Sequence, residues 1–372
     1  MKPSLHLFNP ENDIALALDT PYFTPPKNAM LLAKAGELLP LWLAKEGDSV
    51  LVSDVEKAVR QIEQVGLSEM QGVNITGRAG GFICFSPWGW SRYAKKKFER
   101  AGGEAGLPSD DELEKIRQLS HRRTAAELNV SLRDKLSFPI PLPAIEITSP
   151  EQIKDIDYDF FFKLPWSSTG RGVFSSIRMR PEKISSSIEG MINSQGSVMI
   201  EKALIPERDF AMLFNISDGI CKFVGYSLFG NVNNSYSGNI LAQDDMLKKE
   251  LGRYVPVDWL TELEEVMPAA INEIIGTGYN GNLGIDMLVY KDSDGKNRIA
   301  PTIEINLRNT MGFVAKALTD KLMYPGKTGV FTVSFGEDEE IKESVFDNER
   351  FVKGEFLPIG HTSGFTFKVK AD

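Results

Sequence analysis

Three polar side chains of different chemistry stand close together near the end of the chain. Glu304, Asn306 and Arg308 occupy alternate positions, with isoleucine or leucine between them. Alternate side chains of a β-strand point to one side, so these three are predicted to share a face. Carboxylate and amide oxygens suit Mg²⁺, and a guanidinium group matches phosphate oxygens. The stretch indicates either a site for a divalent cation and a phosphate or an edge strand with a solvated face.

A second acidic strand precedes this stretch. Residues 281–290 are predicted to form a strand that carries one acid, Asp286, and residues 292–295 form a tight hairpin turn. Asp286 and Glu304 are therefore predicted to lie on paired antiparallel strands, close enough to share a cation. This pairing favours the metal site over the solvated edge.

A lysine at the end of an apolar strand lies further upstream. Lys163 follows three phenylalanines, and a lysine in such a run must extend to solvent or meet an anion. The next segment, 166–173, is rich in serine and glycine and contains Arg171, a composition that suits phosphate. A simple hairpin would have the same composition. The segment lacks the Walker pattern, so a P-loop fold is not supported.

Length and composition limit the class of protein. The 372 residues are enough for two or three domains, and the net charge of -9 argues against nucleic acid as a partner. No apolar run is long enough to cross a bilayer, and the two cysteines, Cys84 and Cys221, show no metal-site spacing. These features predict a cytoplasmic protein without a membrane or nucleic-acid partner.

The N-terminal region alternates strand and helix patterns, which predicts an open parallel α/β domain. The polar segment 9–13 follows the first strand, where it would either face a ligand or serve as turn and helix cap. Ser120 is predicted to cap a helix that begins beside two arginines, Arg122 and Arg123, a place that suits an anion.

Five motifs then follow one another in a recognisable order over residues 110–320. They are the lysine strand, the small-residue loop, the segment 200–204, the acid strand and Glu-x-Asn-x-Arg. This order resembles the nucleotide-binding core of the ATP-grasp enzymes. The resemblance implies an α/β fold with an α+β core, in which an N-terminal domain (1–108) precedes a small subdomain (109–200) and a C-terminal subdomain with the metal site (201–372).

The resemblance also implies a role for each matching residue. Lys163, Arg171 and Arg308 would act in catalysis by offsetting charge on the phosphates, and Glu201 would bind the adenine amino group. The implied Mg²⁺ ligands are Asp286, Glu304 and Asn306. The implied ATP contacts are Lys163, Ser167, Ser168, Thr169, Gly170, Glu201, Lys202, Leu204, Asp209 and Arg122. Arg122 stands where the family often has lysine, and Asp286 stands where it often has glutamate.

The activity implied is that of an ATP- and Mg²⁺-dependent ligase. Such an enzyme converts a carboxylate, here of an amino-acid or peptide-like substrate, into an acylphosphate that an amine attacks. Two alternatives stay open: a small-molecule kinase of the same fold, and a nucleotide-binding protein without catalysis. The partners implied are small molecules, and homodimers are common in the superfamily.

Overall fold

The chain forms two compact units. The computed structural model describes residues 2–70, 72–154, 156–167, 172–177, 179–232, 235–336 and 343–372. The first unit comprises Met1–Glu114, Gly225–Leu247 and Arg308–Asp372, and the second comprises Lys115–Val224 and Lys248–Leu307. Within the described ranges, no helix has both the length and the apolar character needed to cross a membrane.

The strands are short in the N-terminal region and longer from residue 205 onward. In chain order they are β1 Leu5–Leu7, β2 Ser49–Leu51, β3 Asn74–Thr76, β4 Phe85–Pro87, β5 Ile145–Ile147, β6 Phe160–Lys163, β7 Val173–Ser175, β8 Val198–Lys202, β9 Ile205–Ser217, β10 Ile220–Val232, β11 Ser235–Leu241, β12 Gly281–Lys291, β13 Asn297–Asn306, β14 Gly329–Phe335, β15 Val345–Asp347, β16 Arg350–Phe356 and β17 Phe365–Ala371.

The helices lie between these strands. They are α1 Asn12–Leu18, α2 Lys27–Ala35, α3 Val55–Val65, α4 Arg92–Arg100, α5 Asp110–Leu119, α6 Arg123–Arg133, α7 Pro181–Gln195, α8 Asp244–Leu251, α9 Val257–Ile274 and α10 Met311–Lys321. Short 3₁₀ helices occupy Leu39–Trp42, Ser68–Met70, Pro150–Ile153 and Gly276–Gly278.

Local sequence signals account for the bounds of α3. The side chain of Asp54 accepts a hydrogen bond from the Lys57 backbone N–H at 3.0 Å, which satisfies one of the unpaired donors at a helix start. Gly66 ends the helix with φ 69°, a left-handed conformation that glycine adopts without steric cost. The predicted helix at this position is confirmed.

The N-terminal sheet of the first unit is parallel, as the sequence predicted. Its order is β3-β2-β1-β4, and each neighbouring pair is parallel. Leu5 in β1 and Val50 in β2 are fully buried, which fits strands covered on both faces. The carboxyl ends of these strands therefore lie along one edge of the sheet, where parallel α/β proteins bind ligands.

One buried carboxylate joins the first two strands of this sheet. Asp48 precedes β2 and accepts hydrogen bonds from the backbone N–H of Ser4 at 2.8 Å and of Lys45 at 3.0 Å. The oxygen that accepts from Lys45, Oδ2, also lies 3.0 Å from Nε2 of His6 in β1. These hydrogen bonds lower the pKa of Asp48 although burial opposes them, so the carboxylate stays ionised.

The other strands of the first unit are antiparallel neighbours in the order β10-β11-β14-β17-β16-β15. Phe331 of β14 and Phe367 of β17 belong to one buried cluster with Val314 of α10 and Trp42. The Trp42 indole N–H donates to the carbonyl of Pro358 at 3.0 Å, so its polar atom is satisfied inside the core.

The second unit contains two groups of antiparallel strands. One has the order β5-β8-β6-β7, and its core joins Phe162 of β6 and Ile200 of β8 to Ile188 of α7. The other contains β13, β12 and β9 side by side, followed by β10, whose residues are divided between the two units. Helix α6 packs against β13 and α9.

Two predictions of local structure are wrong. Ser120 does not cap α6. It directly follows the last residue of α5, and its hydroxyl donates to the Ile116 carbonyl of that helix at 2.7 Å. Arg308 does not continue the strand of Glu304, because β13 ends at Asn306. Arg308 instead forms an isolated antiparallel bridge with Gly89 in the first unit.

The hydrogen bonds of Asp48 predict a large effect of its removal. Asp48→Ala leaves the backbone donors of Ser4 and Lys45 and the buried ring of His6 without this partner, so the free energy of unfolding should fall by about 2–3 kcal/mol. Urea unfolding followed by circular dichroism measures this change. Glu46→Gln, at an exposed neighbouring position, is the matched control and should change stability by about 0.5 kcal/mol or less. Equal stability of the two variants would contradict the structural role of Asp48.

Candidate functional site

The predicted pairing of the two acidic strands is confirmed. Asp286 of β12 lies directly opposite Glu304 of β13, and Gly284 lies opposite Asn306. Cross-strand partners point to the same side of a sheet, so the two carboxylates and the amide share a face. The Asn306 amide N–H donates to Oδ2 of Asp286 at 3.3 Å. The arrangement brings all three predicted metal ligands together.

Arg122, just before α6, holds this acidic face to the segment that follows β6. Its Nη2 lies 2.9 Å from Oε1 of Glu304 and donates to the Ser167 hydroxyl at 3.1 Å. Its Nε donates to the Leu164 carbonyl at 3.1 Å. Arg122 is 9% exposed, so its charge depends on these oxygens in place of water.

Lys163 and Glu201 form an ion pair on neighbouring antiparallel strands. Lys163 lies opposite Met199 and Glu201 lies opposite Phe161, which places the two charged side chains diagonally on one face. Phe162, on the other face, is fully buried in the core. Lys163 is itself 7% exposed, and Glu201 provides the anion that its position in an apolar strand requires.

A narrow cleft in the second unit collects five of the predicted nucleotide contacts. Its volume is about 40 Å³, which leaves room for a few water molecules. Ala300, Thr302 and Ile303 of β13 form part of its wall. The predicted contacts that line it are Arg122, Lys163, Glu201, Lys202 and Leu204.

The donor set on β12 and β13 fits Mg²⁺. Two facing carboxylates and an amide oxygen are hard ligands, and Mg²⁺ usually takes one or two protein carboxylates together with water and substrate phosphate. No group of three or more His, Cys, Asp or Glu side chains suited to a metal occurs in the described part of the chain. A cation bound to Asp286, Glu304 and Asn306 would therefore take its remaining ligands from solvent or substrate.

Arg308 pairs with an acid that sequence reasoning did not single out as its partner. Its Nε donates to Oδ1 of Asp13 at 3.0 Å and its Nη2 donates to Oδ2 at 2.8 Å, a bidentate contact within the first unit. The next backbone N–H, that of Asn309, donates to the Trp88 carbonyl at 2.8 Å. The segment after β13 is thus fixed by both side-chain and backbone bonds.

The remaining predicted residues have different outcomes. Asp209 of β9 lies opposite Leu288, two positions from the pair Ala211–Asp286, so it shares the sheet face of Asp286. It does not line the narrow cleft. Ser167 contacts Arg122. The predictions for Ser168, Thr169, Gly170 and Arg171 fall outside the described residues.

Sequence reasoning missed several residues of the cleft. Asn129 of α6 donates to the Thr302 hydroxyl at 3.2 Å, and both residues line the cleft. Met199, also in the wall, precedes Glu201 by two positions. Side chains two positions apart on a strand point to the same side. Met199 lies two positions before Glu201 and Thr302 two positions before Glu304, so this periodicity was the signal that could have found both. Asn129 had no such signal, because its position depends on how α6 packs.

Comparison with known proteins gives matches at the level of structure. No protein-family model matches the sequence, and a search of curated proteins gives no significant match. Biotin carboxylase from Campylobacter jejuni matches with a TM-score of 0.51 and 14% identity, over 100% of this chain and 87% of that one. Pyruvate carboxylase from Rhizobium etli matches with a TM-score of 0.55 and 14% identity, over 100% of this chain and 36% of that one.

The likeness to these two structures shows the fold. The chain has the ATP-grasp fold. A structure from Archaeoglobus fulgidus, described as that of an ATP-grasp superfamily protein, matches over 100% of this chain and 99% of that one, with 14% identity and a TM-score of 0.47. The likeness to the two carboxylase structures confirms the fold implied by the order of the five motifs, whereas the role of each site residue stays a prediction.

A buried histidine lies beside Arg122 in this fold. The ring of His121 packs edge-on against Trp166 with centroids 4.7 Å apart, and its Nδ1 accepts the Arg123 backbone N–H at 3.0 Å. Burial, together with the neighbouring arginines, lowers the pKa of His121 to about 4, although Glu146 opposes the shift. His121 is therefore neutral in the folded chain at neutral pH.

This neutral histidine predicts a dependence of stability on pH. Between pH 6.5 and about 4 the unfolded chain binds a proton at His121 that the folded chain does not, so acidification favours unfolding. His121→Gln should therefore lose less stability than the wild type between pH 7.5 and 6.0, by about 0.5–1 kcal/mol. Urea unfolding at the two pH values measures this difference.

His361 provides the matched control for this experiment. It is exposed, so His361→Gln should retain the pH dependence of the wild type. An unchanged pH dependence in His121→Gln would show that the folded chain does not keep His121 neutral.

Proposed function

We propose that the chain is an ATP- and Mg²⁺-dependent ligase that activates a carboxylate as an acylphosphate for attack by an amine. The observation that carries the proposal is the convergence of Arg122, Lys163 and Glu201 on one cleft. The contact of Arg122 with Glu304 joins that cleft to the acidic face of β12 and β13. Cations for phosphate and acids for a metal are thus supplied by neighbouring parts of one unit.

The adenosine end of the nucleotide is assigned to the segment that ends β8. Glu201 is assigned to the adenine amino group and the backbone at Lys202 and Leu204 to further contacts with the base, since all three residues line the cleft. Ile303, Met199 and Ala300 provide an apolar wall for the base. Asp209, on the sheet face of Asp286, is assigned to the ribose.

Nucleotide binding requires the narrow cleft to open. A volume of about 40 Å³ admits only a few water molecules, and the ion pair between Lys163 and Glu201 crosses part of the lining. Phosphate and adenine provide these two side chains with alternative partners, since an ammonium pairs with either anion and a carboxylate accepts from an amino group. ATP therefore replaces one internal ion pair with two contacts of its own.

The phosphate end is assigned to the acids of β12 and β13. When bound there, Mg²⁺ neutralises charge on the β- and γ-phosphates. Asp286 and Glu304, which face each other across the strand pair, would hold the cation, and Asn306 would add a neutral oxygen. Lys163 is assigned to the phosphate oxygens, whereas the same role for Arg171 and Arg308 stays a prediction from the sequence. Phosphoryl transfer of this kind needs positioning and charge more than a protein nucleophile.

The comparison with solved structures supports the proposal that the ligand of the cleft is ATP. The biotin carboxylase that shares the fold was solved as a complex with β,γ-ATP. Transfer of the ligand to this chain rests on the cleft and its charged residues, because 14% identity shows the fold alone.

Removal of one acidic charge should weaken ATP binding in the presence of Mg²⁺ and leave ATP binding without Mg²⁺ nearly unchanged. Glu304→Gln keeps an oxygen for Arg122 but removes the negative charge offered to the cation, so the affinity for ATP in saturating Mg²⁺ should fall about 10-fold or more. Affinity for ATP in EDTA should change much less. Isothermal titration calorimetry measures both values.

Asp294→Asn is the control for this comparison, because Asp294 lies in the exposed turn of the same hairpin. It should bind ATP as the wild type does with and without Mg²⁺. If Glu304→Gln retained wild-type affinity in Mg²⁺, the assignment of Glu304 as a metal ligand would be wrong.

The reaction itself is tested by the products. Full-length protein with ATP and Mg²⁺ should release ADP when a carboxylic acid and an amine from panels of amino acids and small peptides are both present. Lys163→Met should abolish this release, because it removes the buried charge assigned to the phosphates. A stable phosphorylated product that forms without an amine would identify a kinase. Tight ATP binding with no ADP release across both panels would contradict a ligase.

A further inference from the structure

A second, wider cleft lies within the first unit at the edge of the parallel sheet. Its volume is about 630 Å³, which is within the range of small-molecule sites. Phe8 directly follows β1, Val52 and Ser53 follow β2, and Gly77 follows β3, and these residues line it. The carboxyl ends of parallel strands therefore form its floor, where open α/β sheets bind their ligands. The roles assigned above to the second unit use none of the cleft's lining.

Glu11 contributes a buried carboxylate to this cleft with one oxygen unsatisfied. The residue is 2% exposed, and its Oε2 has no hydrogen-bond partner. Its other oxygen, Oε1, pairs with Nζ of Lys97 in α4. A buried acceptor without a donor destabilises the folded chain, so a ligand that donates a hydrogen bond to Oε2 binds favourably there.

The lysine that pairs with Glu11 also lies over an aromatic ring. Nζ of Lys97 also lies 5.1 Å from the ring centroid of Tyr93. Burial, and then the charge of Glu11, raise the pKa of Tyr93. Since Oε1 of Glu11 already pairs with one ammonium group, we expect its unpartnered Oε2 to accept best from a second charged donor, because charge-assisted hydrogen bonds are the stronger ones.

The rim of the cleft carries positive charge suited to an anionic group. Lys34 of α2 and Arg100 of α4 line it and are exposed. Lys34 has no ion-pair partner among the described residues, and Arg100 lies 5.8 Å from the Tyr22 ring centroid. Glu37, the other acid in the lining, already accepts the N–H and the hydroxyl of Ser53 at 2.9 Å each.

Apolar side chains occupy the wall between these charged groups. They are Leu7, Phe8, Pro25, Met30, Ala33, Leu51, Val52 and Ala101. A ligand for the cleft therefore combines a cationic donor for Glu11, an anionic group for the rim and a short carbon skeleton between them.

We propose that this cleft binds a small zwitterion, a molecule with a protonated amine and a carboxylate or phosphate group. The amine donates to Oε2 of Glu11, and the anionic group lies near Lys34 and Arg100. The proposal concerns binding alone, and since every residue involved lies in the first unit, it does not depend on ATP binding by the second.

Calorimetric titration of the full-length chain without ATP or Mg²⁺ tests the proposal. The probes are the standard amino acids, β-alanine, 4-aminobutyrate and O-phosphoethanolamine. Each ligand that binds is compared with an analogue that lacks the amine and one that lacks the anionic group, such as propionate and propylamine for β-alanine. At least one zwitterion should bind with a Kd below about 1 mM, and both of its analogues should bind about 10-fold more weakly.

Three variants locate the binding. Glu11→Gln should weaken the best zwitterion about 10-fold or more, because it removes the charge that pairs with the amine. Lys34→Gln and Arg100→Gln should each weaken it about 2- to 5-fold, as expected for exposed charges. Lys27→Gln, at the exposed first residue of α2 and outside the cleft, should bind with wild-type affinity.

The outcomes decide the proposal in either direction. If no zwitterion in the panel reaches this affinity, or if the best one binds equally to Glu11→Gln and to both rim variants, the proposal is wrong. If Glu11→Gln proves unfolded by circular dichroism, the two rim variants and the pair of analogues decide the result, since Lys34 and Arg100 are exposed.

Discussion

The candidate site of the second unit depends on one buried cation, the guanidinium of Arg122. Four oxygens hold it: the Leu164 carbonyl, the Ser167 hydroxyl and carbonyl, and one oxygen of the Glu304 carboxylate. A buried charge is costly unless such partners surround it, so the start of α6, the end of β6 and the end of β13 must stay together. Arg122 thereby fixes Glu304, and the register of the hairpin then fixes Asp286 opposite it.

Two other cations of the predicted site are also paired with a carboxylate, as Arg122 is. Arg122 pairs with Glu304, Lys163 with Glu201, and Arg308 with Asp13. Each cation thus has a carboxylate partner, with which an anionic ligand would have to compete. Under the proposed function, a Mg²⁺–nucleotide complex would compete well, because its metal would give Glu304 a new partner while its phosphates would give one to Lys163.

The compact units are assembled from segments that alternate along the chain. The sequence predicts consecutive domains, 1–108, 109–200 and 201–372, and that division stays a prediction. In the structure, Gly225–Leu247 and Arg308–Asp372 form one unit with the N-terminal sheet. Strand and helix patterns are local, and they contain no information on which distant segments will pack against each other.

The sequence by itself determined the pairing of the two acidic strands in the candidate site. Alternation placed Glu304 and Asn306 on one strand face, and the hairpin turn placed Asp286 beside them, because strand period and turn geometry are set by neighbouring residues. Only the tertiary structure decided that Asp13 pairs with Arg308 and that Asn129 reaches Thr302. Those contacts join residues 295 and 173 positions apart, and they depend on the packing of whole helices and strands, which no local pattern encodes.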